Sequence, residues 1–73
     1  MKYTEFVRRF PEDKEIGRDI TEDEVVVFSD NGTDVGAWRM NRRTTEGQGE
    51  VLSPNDAEMA RHWYRNRDGG HSR

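Results

Sequence analysis

Apolar residues recur at Tyr3, Phe6, Val7 and Phe10, at positions i, i+3, i+4 and i+7. That is the spacing of one helical face. Pro11 cannot continue a helix, so the pattern predicts a short helix ending at Phe10, with an aromatic-rich strand as the alternative. From Glu12 to Glu24 the periodicity lapses, leaving Ile16 and Ile20 isolated and Gly17 between them. This stretch reads as a tethered acidic loop with room for one helical turn.

Periodicity returns as β-branched and aromatic residues in Glu24-Val25-Val26-Val27-Phe28-Ser29. Such residues favour a pleated strand. Asn31-Gly32 follows, and Asn-Gly is the strongest short hairpin signal because a type I′ turn needs positive φ at both central positions. Val35 to Met40 is then the returning strand. With Asn31 and Gly32 as the loop, Phe28 faces Val35, Val26 faces Ala37, and Glu24 faces Arg39. On the other side Val27 meets Gly36, Val25 meets Trp38, and Asp23 meets Met40. Both faces of this ribbon are apolar near the turn. One covers the core, and the other is either covered by a second element or left for a partner.

Asn41 to Gly49 reads as a loop or a worn strand end with a Gly-Gln-Gly turn, and Glu50-Val51-Leu52 as a short third strand. Ser53-Pro54-Asn55-Asp56 is a helix start, with Ser53 as N-cap, Pro54 in the first helical position and Asp56 where a carboxylate complements the helix dipole. Ala57, Ala60, Trp63 and Tyr64 follow at helical spacing, and Gly69-Gly70 is expected to stop the helix. The fold expected is α+β: a small antiparallel β-meander with a C-terminal helix and a short N-terminal helical segment. Residues 1–68 form its single domain and residues 69–73 a flexible tail.

Composition sharpens this outline. The chain has 73 residues, 30% hydrophobic and 37% charged. A domain of this size buries only about 60% of its unfolded surface. No cysteine is present, which excludes disulfides and thiolate zinc sites and suits a reducing cytoplasm. No apolar run approaches the roughly 20 residues of a membrane helix, and the opening lacks the apolar stretch of a signal peptide. A cytoplasmic monomer is the expectation.

The net charge is −3, but its distribution is uneven: seven acids lie between Glu12 and Glu24 against Lys14 and Arg18, and four arginines between Arg61 and Arg73 against Asp68. The acids sit in a polar stretch rather than in a cleft pattern, so no catalytic dyad is predicted and the chain is read as non-enzymatic. His62 and His71 are nine residues apart with no cysteine nearby, and no metal or cofactor is expected. Gly47 and Gly49 match neither a Walker nor a dinucleotide pattern and are read as turn residues.

Trp38 and Trp63 read first as core. Trp38 also stands beside Arg39, Arg42 and Arg43, a setting in which an aromatic can stack on nucleic acid. Net acidity weighs against that partner, because counterion release needs a concentrated basic face. An acidic stretch beside an apolar surface fits a protein contact, with charge supplying encounter rate and register. The candidate contact residues are Phe6, Glu12, Asp13, Glu15, Glu22, Asp23, Trp38 and Arg39. The rival readings are a nucleic-acid module using Arg39, Arg42, Arg43, Arg61 and Arg65, and a DNA mimic that blocks a nuclease.

With its opening MKYTEFVRRF, its hairpin EVVVFSDNGTDVGAWRM and its arginine-rich end, the chain resembles small phage-encoded transcription regulators that bind host bacterial RNA polymerase. The resemblance spans the chain but rests on no shared motif, so it assigns no residue a role. It implies residence in the host cytoplasm and binding to the large polymerase subunits. It also implies inhibition of initiation by interference with sigma attachment, and an effect on termination such as antitermination.

Overall fold

The computed structural model describes the backbone of residues 1–71 and the side chains of residues 1–65. Helix α1 spans Tyr3–Arg9, a 3-10 turn Glu12–Lys14, strands β1 Glu15–Ile20, β2 Glu24–Asp30, β3 Val35–Asn41 and β4 Gly47–Val51, and helix α2 Pro54–His71. The strands form one antiparallel sheet in the order β1-β2-β3-β4. The fold is α+β, as expected. No helix among the described residues is long and apolar enough to cross a membrane.

Each face of the sheet carries one helix. On one face α2 lays Tyr64 against Phe28, ring centroids 5.4 Å apart, and buries Val26, Val35, Ala37 and Ala57. On the other, α1 packs Phe6 and Phe10, which are 3% and 1% exposed. Phe6 lies 5.6 Å from Trp38, centroid to centroid. Burying a phenylalanine contributes about 1.5–3 kcal/mol, so α1, seven residues long, is held by its aromatic stripe rather than by helix propensity.

The strands admit these rings by carrying glycine beneath them. A Cβ on Gly36 would come 2.6 Å from Phe10 Cε2, and one on Gly49 2.7 Å from Phe6 Cδ2. On the opposite face, a Cβ on Gly17 would come 2.1 Å from the Tyr64 ring.

Four expectations need correction. The hairpin register is shifted by two residues: Phe28 pairs with Ala37, Val26 with Arg39, Val27 with Trp38 and Val25 with Met40. The loop is Asn31 to Asp34, because the Asp30 side chain accepts the Gly32 N–H at 2.9 Å and Asn31 Oδ1 accepts those of Thr33 and Asp34 at 3.0 and 2.8 Å. An even shift preserves the faces. The acidic stretch is not a loop but a 3-10 turn followed by β1, with an irregularity between Glu15 and Gly17 where Ile16 is extra. Gly47-Gln48-Gly49 belongs to β4, not to a turn. Helix α2 continues through Gly69 and Gly70 to His71, since glycine permits a stop without imposing one. Ser72 and Arg73 of the expected tail lie outside the described residues.

Ser53 caps α2 as expected, its Oγ accepting the Asp56 N–H at 3.2 Å.

Candidate binding surface around strand β1

The structure gathers five of the eight sequence-derived candidates and places the other three elsewhere. A groove of about 220 Å³ runs between α1 and β1. Phe6 and Phe10 form its wall, Val27, Trp38 and Met40 its floor, and Glu12, Glu15 and Arg18 its rim. Phe6, Glu12, Glu15 and Trp38 are therefore brought together, and Asp13 follows Glu12 on the same turn. Glu22 and Asp23 occupy the turn at the far end of β1. Six strand residues, at about 3.3 Å each, separate the two acidic groups by about 20 Å. Arg39 projects to the opposite face from Trp38, where it binds Glu24 at 2.7 Å. Tryptophan and arginine thus share a strand but not a surface.

Exposure decides what each residue can do. Phe6 is core and cannot anchor a partner without unfolding α1. Trp38 is half-buried, and its exposed neighbour is Tyr3, which is 53% exposed and edge-on to the Trp38 ring at 5.2 Å between centroids. Across the sheet a second groove, of about 540 Å³, lies between β1 and α2. Asp19, Phe28, Met59 and Trp63 line it. Trp63 was expected in the core but is 58% exposed, and Met59 is 63% exposed. Ala57 and Tyr64 turn inward instead, about one helical step away. Sequence reasoning missed Tyr3, Met59 and Ile20, the last 57% exposed at the end of β1. The i, i+4 spacing of Met59 and Trp63 was the available signal for the α2 pair.

The electrostatics are simple. Glu15 grips Arg18 through two hydrogen bonds of 2.8 and 2.7 Å, and these raise the Arg18 pKa above its ordinary value. Asp30 receives Arg61 at 2.8 and 3.2 Å. That bond holds the Asp30 carboxyl below the usual range against the opposing effect of burial, with the Gly32 N–H assisting. Arg61 is raised by the same bond. Each of these shifts belongs to a closed ion pair. Arg42 donates to the Thr21 carbonyl at 2.7 Å and ties the β3–β4 connection to the β1–β2 turn.

The arginines of the nucleic-acid reading are consequently split. Arg39 and Arg42 sit near one end of the sheet, while Arg61 sits by Asp30 at the other end of β2. Among the described residues no group of three His, Cys, Asp or Glu side chains could hold a metal ion. His62 is exposed, and the His71 side chain lies outside the described residues. No protein-family model, curated protein or solved structure matches the chain.

Proposed function

We propose that the domain acts as a non-enzymatic regulator that binds a basic protein surface, and that this partner is bacterial RNA polymerase, where binding interferes with sigma attachment. One observation carries the protein-binding reading: exposed Tyr3 and half-buried Trp38 lie beside an apolar groove whose rim holds Glu12 and the Glu15–Arg18 pair. An apolar centre with a charged rim is the anatomy of a protein contact. Polymerase as the partner rests on the sequence resemblance alone. The separation of the basic residues supports ranking protein above nucleic acid.

The test uses immobilised RNA polymerase and two variants. Glu12→Lys with Asp13→Lys leaves the Glu15–Arg18 pair intact, and it should slow association and flatten its salt dependence, because rim charges act on encounter. Tyr3→Ala should speed dissociation, because anchors act on residence. Absence of polymerase binding by the parent domain, or unchanged kinetics in both variants, refutes the proposal. Duplex-DNA binding that weakens steeply with salt would replace it by the nucleic-acid reading.

A further inference from the structure

The sheet has two edges, and they are not equivalent. At β4 the main chain of Met1 covers the outer side: the Met1 amine donates to Gly49 O at 2.6 Å, and the Gly49 N–H donates to Met1 O at 2.9 Å. At β1 no such cover exists among the described residues.

Which groups β1 offers follows from its register. The Thr21 N–H donates to Glu24 O at 2.9 Å, so that pair is a hydrogen-bonded position. Bonded and non-bonded positions alternate in an antiparallel ladder. Asp19/Val26 and Gly17/Phe28 are then bonded, and Ile20/Val25 and Arg18/Val27 are not. The main-chain N–H and C=O groups of Arg18 and Ile20 therefore point away from β2, along a free edge.

We propose that β1 accepts an extended, lysine- or arginine-bearing segment of a protein partner as a fifth strand of the sheet. Main-chain pairing supplies affinity in such an addition, and alternate side chains supply specificity. Here the alternate side chains of the incoming strand meet two different surroundings. On the α2 side they enter the groove of Phe28, Met59 and Trp63. On the α1 side they meet Glu12 and the closed Glu15–Arg18 pair.

Charge selects the occupant. Glu12, Asp13, Asp19, Glu22 and Asp23 flank the edge, and none forms an ion pair among the described residues. The adjacent Arg18 is already neutralised by Glu15. A second copy of β1 would set these acids against one another, which disfavours self-pairing. The inference rests on the proposed function only in taking the partner to be a protein.

The experiment uses the whole domain, isotopically labelled, and an acetylated, amidated peptide of alternating valine and lysine. Amide hydrogen exchange at Arg18 and Ile20 should slow on the order of tenfold at saturation, while Gly17 and Asp19, already bonded to β2, stay unchanged. The same peptide methylated on every backbone nitrogen keeps its charge and apolar groups but cannot pair, and it should give no protection. Equal protection by the methylated peptide, protection elsewhere, or no protection overturns the inference. So does protection that appears without peptide and rises with protein concentration, which would mean self-association. Polymerase binding without edge protection by the peptide sinks the fifth-strand inference and leaves the partner reading standing. Edge protection without polymerase binding does the reverse.

Discussion

Replacing Gly36 by alanine tests whether α1 is seated on the sheet as described. Gly36 is not among the residues with positive φ, so alanine meets no backbone obstacle there. By itself the change should help, since a glycine within a strand costs about 0.5–1 kcal/mol relative to alanine. The ring above reverses the sign. The new Cβ would lie 2.6, 2.7 and 2.8 Å from Phe10 Cε2, Cδ2 and Cζ, and Phe10 is 1% exposed, so it has nowhere to go. Overpacking of this kind costs about 1–3 kcal/mol. The net expectation is a loss of about 1 kcal/mol, or about 4–8 °C in Tm for a domain of this size. Phe10→Leu removes part of the ring from above the site. In that background Gly36→Ala should be neutral or stabilising, with a coupling of at least about 1 kcal/mol between the two positions. Urea denaturation of the parent, the two single variants and the double variant measures this cycle. Gly32→Ala is the control: at φ +95° with nothing within 4 Å, it should destabilise equally in both backgrounds. If Gly36→Ala stabilises the parent, or the cycle shows no coupling, Phe10 does not lie on Gly36.

Two further outcomes follow from the helix cap and the Asp30–Arg61 pair. Ser53→Ala should lower stability by about 1 kcal/mol through loss of the bond to the Asp56 N–H, read as a fall in urea midpoint at unchanged slope. Asp30 has a folded pKa depressed chiefly by the Arg61 hydrogen bond, so its contribution is present above the unfolded value of about 3.9 and is lost as pH falls through the folded value. The parent should therefore lose more stability than Asp30→Asn as pH is lowered below about 4, and parallel profiles would show that the pair contributes nothing.

The helices were legible in the sequence because their signals are local. The aromatic spacing from Tyr3 to Phe10 and the Ser53-Pro54 start need no distant partner to be read. The sheet was less legible because its strands are defined by what lies on them. Glu15–Ile20 has little strand propensity, and it pairs with β2 through a bulge at Ile16. Gly17, which the sequence places in an acidic loop, is the gap that Tyr64 fills. Gly47 and Gly49 imitate a turn, yet they are flat floor for Trp38 and Phe6. The hairpin register failed for a related reason. Asn31-Gly32 alone predicts a two-residue loop, whereas Asp30, still paired with Val35 in the ladder, and Asn31 cap a four-residue loop with their side chains. The predicted Glu24–Arg39 contact survived as a diagonal ion pair, since long side chains bridge a two-residue offset.

The candidate contact residues divide along the same line. Acids were placed correctly on the surface because charge alone keeps them there. The apolar anchor was not, because Phe6 and Phe10 are what hold α1 to the sheet, and a chain with 30% hydrophobic residues has few to spare. The apolar surface left over lies where each helix runs out of sheet to cover: Tyr3 beside Trp38 on one face, Met59 and Trp63 on the other, Ile20 at the end of β1. Met59 and Trp63 line a groove against β1, and Trp38 lines the groove on β1's other side. Ile20 belongs to β1 itself, and five of the ten acids outside ion pairs among the described residues sit on or next to that strand. A ligand that lay on one face would meet only one groove and half of the charge. A ligand that follows the strand would meet both grooves, the acids at each end and the unpaired backbone between them, which is why the edge, rather than either face, is the surface we propose for a partner.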